Sequence, residues 1–179
     1  GDTKKGRSKE NRQTRNQKPE AQVRVEAYRR VEPCPACRHI GRMKQTTLAA
    51  SVSLTGTSLH EGHPVTLTLK PAAAGTGYVL VRADKGNARI DVHPRNLVEI
   101  QRRTLLMQDG VEVHTVEHVL AALYGMGVDN AEIELTAPEP PAGDGSSAAF
   151  IELIKQAGIT QLEADRAEFD AQTFEHADG

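Results

Sequence analysis

The sequence predicts an α+β fold: a two-layer sandwich of mostly antiparallel sheet with two helices on one face. Three observations predict it. Apolar–polar alternation runs through much of residues 47–113, the mark of half-buried strands. Helical apolar stripes appear only later, at Val116, Val119, Leu120, Leu123 and at Phe150, Leu153, Ile154, Ala157. Asp109-Gly110 separates two apolar runs, as a two-residue hairpin turn requires, because both turn positions need positive φ.

The elements follow in order. Thr47 to Thr55 alternates loosely and is rich in Ser, Thr, Leu and Val, and Gly56 is read as its break. His63 to Lys70 alternates strictly, with Val65, Leu67 and Leu69 on one side. The pair reads as a hairpin whose long loop holds Leu59-His60-Glu61-Gly62. Tyr78–Arg82 and Ala88–Val92 are further strands, and Arg103–Gln108 and Val111–Val113 flank the Asp-Gly turn. The first helix is expected near 115–125, with Thr115 as N-cap and Gly125 or Gly127 ending it. Ala131–Thr136 alternates again, Ile133 and Leu135 opposing Glu132 and Glu134. A proline- and glycine-rich loop from Pro138 to Gly145 precedes a second helix near 147–157, capped by Ser146 or Ser147 and closed by Gly158.

The chain has 179 residues, room for one domain or one and a half. Apolar residues make up 38% and aromatics only 3% with no Trp, so the core must be aliphatic. No run of 18 apolar residues exists and no apolar h-region follows the start, so neither a membrane span nor a secretory signal is expected, and the expected compartment is the cytoplasm. The net charge of −2 points to no nucleic-acid or membrane partner, but it hides a split. Residues 1–42 carry 12 Lys/Arg against 5 Asp/Glu and almost no apolar periodicity. This basic segment is expected to be disordered and, since Met43 falls where the composition changes, to lie upstream of the native start. The competing reading is a basic tail for nucleic acid or anionic lipid. Cys34-Pro35-Ala36-Cys37 with His39 has only half the ligands of a structural zinc site.

His114-Thr115-Val116-Glu117-His118 is the densest functional cluster. A zinc hydrolase needs these types: imidazole to hold the metal, carboxylate to take a proton from water. The bland reading is that two histidines decorate a helix start. The pattern also matches the His-x-x-Glu-His signature of inverted zinc peptidases, which need a further acidic ligand and a larger chain. Asp144-Gly145-Ser146-Ser147 reads first as a helix cap, and His60 as a loop residue able to contact a ligand.

Taken together these segments resemble the UDP-3-O-acyl-N-acetylglucosamine deacetylases of Gram-negative bacteria. Met43-Lys44-Gln45-Thr46-Thr47-Leu48 resembles the family's usual N-terminus. Thr55-Gly56-Thr57-Ser58-Leu59-His60-Glu61-Gly62 resembles its Thr-Gly-x-Gly-Leu-His-x-Gly loop. Thr115–Leu123 and Gly127-Val128-Asp129-Asn130 resemble its Thr-Val-Glu-His helix and Gly-x-Asp-Asn turn, and Pro138–Ser147 its Pro-Glu-x-Pro-x-x-Asp-Gly-Ser loop. The motifs keep order and spacing over nearly all of residues 43–160.

The resemblance implies zinc-dependent hydrolysis of the N-acetyl group of UDP-3-O-acyl-N-acetylglucosamine, the committed step of lipid A biosynthesis. It implies His118 as one of three protein ligands of Zn2+ and Glu117 as general base with a carboxyl tuned toward neutral pH, while His60 is expected as a substrate contact from its loop placement alone, the alternative being a plain polar loop residue. Ser58 stands where the family has Gly, which predicts a different loop backbone, and Ala142-Gly143 replaces an Ile-Met pair, which predicts looser packing. The expected organisation is a basic segment at 1–42, the first domain of the deacetylase at 43–162, and a tail or the start of a second domain at 163–179. The family's second domain carries a His-x-x-x-Asp ligand pair, and neither His176 nor Asp178 matches that spacing. The remaining zinc ligands are therefore expected outside this chain, and a non-catalytic binding module is the alternative.

Overall fold

The computed structural model describes residues 43–98 and 103–167. The basic segment 1–42 with its two cysteines and His39, and the tail holding His176 and Asp178, lie outside the described residues.

A five-stranded sheet forms one layer. It comprises β2 (Val52–Thr57), β3 (Pro64–Pro71), β4 (Tyr78–Arg82), β5 (Ala88–Asp91) and β9 (Ala131–Leu135), in the order β2-β3-β9-β4-β5. Every neighbouring pair is antiparallel except β4–β9, which is parallel. Register explains which side is buried. Leu67 lies opposite Leu135, Leu69 opposite Ile133, and Leu80 opposite both Ile133 and Ile90, so one face is a continuous aliphatic surface. The reverse face carries Thr66, Thr68, Lys70, Glu132, Glu134 and Arg89, ion-paired across the strands. Val79 and Val81 are buried on that face, flanked in register by Glu132, Glu134, Arg89 and Asp91.

The second layer is α1 (Glu117–Gly125) and α2 (Ala148–Ala157), which pack against each other. Val119, Ala122 and Leu123 of α1 and Phe150, Leu153, Ile154 and Ala157 of α2 join the sheet's apolar side chains in one core. Both helices therefore cover the same sheet face, as the sequence predicts. Burying such side chains is worth roughly 1.5–3 kcal/mol each, against the ordering entropy.

Two small sheets complete the unit. β1 (Lys44–Leu48) pairs antiparallel with β10 (Ile159–Asp165), and β6 (Leu97–Val98), β7 (Leu105–Gln108) and β8 (Val111–His114) form a meander. The expected Asp-Gly hairpin joins β7 to β8, with φ of 51° at Asp109 and 78° at Gly110. Arg82, buried on the core side of β4, ties this meander to the main sheet by donating to the Glu112 carbonyl at 2.5 Å.

Two expectations need correcting. The stretch read as one strand from Thr47 to Thr55 is two, β1 and β2, parted at Ala49–Ser51. Gly56 does not break the strand: it pairs with Val65 inside β2. Its missing side chain serves a close approach, since a Cβ there would lie 3.1 Å from the Pro141 Cβ.

Candidate active site at the start of the first helix

Two loops and the end of β8 converge just before α1. The loop between β2 and β3 is closed on itself: the Ser58 N–H donates to the His63 carbonyl at 2.9 Å, and the His63 N–H to the Ser58 hydroxyl at 3.1 Å. Ser58 is buried and its φ is not in the left-handed region, so a side chain is tolerated and the hydroxyl is used. The expected backbone departure at this position therefore has no steric cause. The proline loop lies alongside: Pro141 bridges Ser58, and the Ala142 N–H donates to the Thr57 carbonyl at 2.9 Å. β8 joins through the His114 N–H, which donates to the Pro138 carbonyl at 2.9 Å.

Glu139 sits where the three meet, with its side chain 0% exposed. One carboxylate oxygen accepts from the His60 backbone N–H at 2.9 Å and the Glu61 N–H at 3.4 Å; the other lies 2.6 Å from His60 Nδ1. Burial pushes this carboxyl up, but hydrogen bonds from the His60 ring, the His60 N–H, the Thr115 hydroxyl and the Glu61 N–H outweigh it and lower its pKa to about 2. The His114 ring, also buried, stands edge-on to His60, with centroids 6.4 Å apart. His114 Nδ1 is 3.2 Å from the Thr115 hydroxyl and 3.9 Å from Glu139, while Nε2 is 3.5 Å from Glu61. Thr115 holds a left-handed φ of 58°, an outlier for a β-branched residue of the kind that clusters at functional sites.

Glu117 and His118 open α1 directly after this cluster. Thr115 is not the N-cap: the helix starts at Glu117, and Val116 precedes it with its carbonyl accepting from the Leu120 N–H at 3.0 Å. Glu117 is exposed and its carboxylate accepts from the Thr104 N–H. Burial of the carboxyl pushes its pKa up. The Glu117 and Thr104 backbone N–H groups, the Thr104 side chain and nearby His118 prevail, holding it below the ordinary carboxylate range. This is opposite to the tuning toward neutrality expected above, because backbone donors favour the ionised form. His118 is half-buried, and its carbonyl accepts from the Ser147 hydroxyl at 3.0 Å, which fixes the first turn of α1 against the start of α2. Ser147 is the N-cap residue of α2 but makes no side-chain cap bond; Ser146 instead donates to Asp144 at 2.7 Å and accepts from the Ala148 N–H at 3.1 Å.

Imidazole and carboxylate are the donors zinc prefers. Among the described residues one group of three lies close enough to share an ion, His60, His114 and Glu139, with ligand atoms within 4.8 Å of one another. His118 is not in it. Glu117 and His118 offer a carboxylate and an imidazole on one helical turn, donor types that a zinc ion takes.

Residues 45–177 match the family described as LpxC: UDP-3-O-acyl N-acetylglycosamine deacetylase. The chain belongs to this deacetylase family. A UDP-3-O-acyl-N-acetylglucosamine deacetylase of Myxococcus xanthus is 47% identical over 123 residues, covering 68% of this chain and 39% of that protein. One from Vibrio cholerae is 47% identical over 127 residues, covering 69% and 41%. The bifunctional enzyme LpxC/FabZ of Chlorobaculum tepidum is 48% identical over 118 residues, 65% of this chain and 25% of that protein. The chain thus spans about two-fifths or less of the length of these deacetylase relatives.

Of the sequence-predicted residues, Glu117 and His118 stand together at the first turn of α1, whereas His60 joins Glu139 and His114, with the Thr115 hydroxyl 3.4 Å from its Nδ1. Glu139 and Thr104 were missed. Glu139 reads as one more loop residue among prolines, although its place in the deacetylase Pro-Glu-x-Pro motif was a usable signal.

Proposed function

We propose that this chain contributes a general base, Glu117, and one zinc ligand, His118, to hydrolysis of the N-acetyl group of UDP-3-O-acyl-N-acetylglucosamine. Family membership together with the side-by-side placement of this carboxylate and imidazole on one helical turn supports the reading. It also favours this reading over the inverted peptidase. When bound, zinc supplies Lewis acidity toward a water and an amide carbonyl. This chain's residues supply the base and its setting. Glu117 is ionised at neutral pH, the acceptor form a base needs, and the Thr104 N–H holds it in place. It takes the proton from the attacking water and passes it to the leaving amine. The N-terminal end of α1 favours that negative charge. The Ser147 hydroxyl, fastened to the His118 carbonyl, keeps the His118 ring at a fixed height on the helix.

The test supplies the remaining length from a relative fused in frame, and measures zinc content beside turnover. His118→Ala is expected to lose tight zinc binding. Glu117→Ala is expected to keep the metal and lose on the order of 10²–10⁴-fold in rate. Loss of zinc from Glu117→Ala with retention in His118→Ala would refute the assignment.

A further inference from the structure

We propose that Glu139 is a positioning residue that fixes the tautomer of His60, holding the proton on Nδ1 and leaving Nε2 bare as a hydrogen-bond acceptor. The argument is one of donors and acceptors. An ionised carboxylate can only accept. The 2.6 Å contact between His60 Nδ1 and Glu139 therefore requires a proton on Nδ1. The neutral ring then has its lone pair on Nε2, on a side chain that is 40% exposed.

The rest of the cluster leaves no competing partner. Thr115 Oγ1 is 3.4 Å from His60 Nδ1, too far to rival 2.6 Å. The same hydroxyl also lies 3.2 Å from His114 Nδ1. The same hydrogen bonds argue against a metal in this triad. A contact of 2.6 Å is a proton-sharing distance, whereas two ligands about 2.0–2.1 Å from one tetrahedral zinc stand well over 3 Å apart. What Nε2 meets rests on the function proposed above: a hydroxyl or amide N–H carried by an acylated amino sugar suits such an acceptor. The tautomer itself does not depend on that function.

The experiment is 15N NMR of the His60 ring in the 179-residue chain, at a pH where the ring is neutral. It needs no metal and no turnover, so its failure is separate from failure of the deacetylase assignment. In the wild type, one charge-assisted hydrogen bond is expected to favour Nδ1–H roughly tenfold or more. Glu139→Gln is expected to invert the preference. The backbone N–H groups of His60 and Glu61 can only donate, so the new amide oxygen must turn to them, leaving NH2 facing Nδ1. Nδ1 must then accept and the proton moves to Nε2. Thr115→Val, which removes the neighbouring hydroxyl and leaves Glu139 in place, is expected to keep Nδ1–H. A wild-type ring bare at Nδ1 overturns the proposal, whether or not the variants fold. So does a folded Glu139→Gln chain that keeps Nδ1–H, since Glu139 would then not set the tautomer.

Discussion

Glu139 shows how much one buried side chain can organise. Replacing it with Ala removes the acceptor that the His60 backbone N–H reaches at 2.9 Å, at a cost of roughly 1–3 kcal/mol. The expected result is a lower urea midpoint with an unchanged slope. The pH dependence has a definite sign. The folded carboxyl sits at about 2, below the ordinary carboxylate range, so its contribution is fully present above the ordinary value. It is lost as pH falls from there toward 2. By linkage that contribution is of order 3 kcal/mol, and the stability gap between wild type and Glu139→Gln should close over this window. A gap that stayed constant down to pH 2 would show that ionisation of Glu139 does not matter. The sequence offered little warning of any of this. A carboxylate flanked by Pro138 and Pro140 has no periodicity to betray burial, and only tertiary donors make burial tolerable.

At the scale of elements, legibility followed local cause. The Asp109-Gly110 hairpin was readable because its backbone demand falls on two adjacent residues. β3 and β9 were readable because each buries one face, so alternation is strict. The β1–β2 split was not, because Ala49–Ser51 carries no strong turn residue. Nor was the insertion of β9 between β3 and β4, which is decided by crossover packing rather than by either strand's own residues. Gly56 was misread for a similar reason: the atom that excludes its side chain belongs to a loop 85 residues away in sequence. Gly56→Ala is expected to cost about 1 kcal/mol in thermal or urea unfolding, as a small overpacking against a buried proline. A stabilised variant would mean that Pro141 yields freely.

For the whole molecule, the single core across two layers implies that distant elements report together. Leu123 on α1 and Ile133 on β9 are both 0% exposed in that core. Either residue changed to Ala should cost roughly 2–5 kcal/mol, with helix and sheet signals lost in one transition. Separate transitions for the two probes would contradict one core. Arg166, by contrast, pairs with Asp129 at 2.8 Å in a part-exposed setting, and Arg166→Ala should cost only about 1 kcal/mol or less.

The pairing of β1 with β10 has a mechanical consequence. Lys44 and Asp165 are partners at the same end of the ladder. A tension applied between those two residues acts across the ladder rather than along it. The hydrogen bonds are then loaded one after another, like the teeth of a zip, instead of together in shear. Pulled in this way the β1–β10 pair should open first and at low force, while the five-stranded sheet, whose strands carry none of that tension, stays folded until the pair has parted.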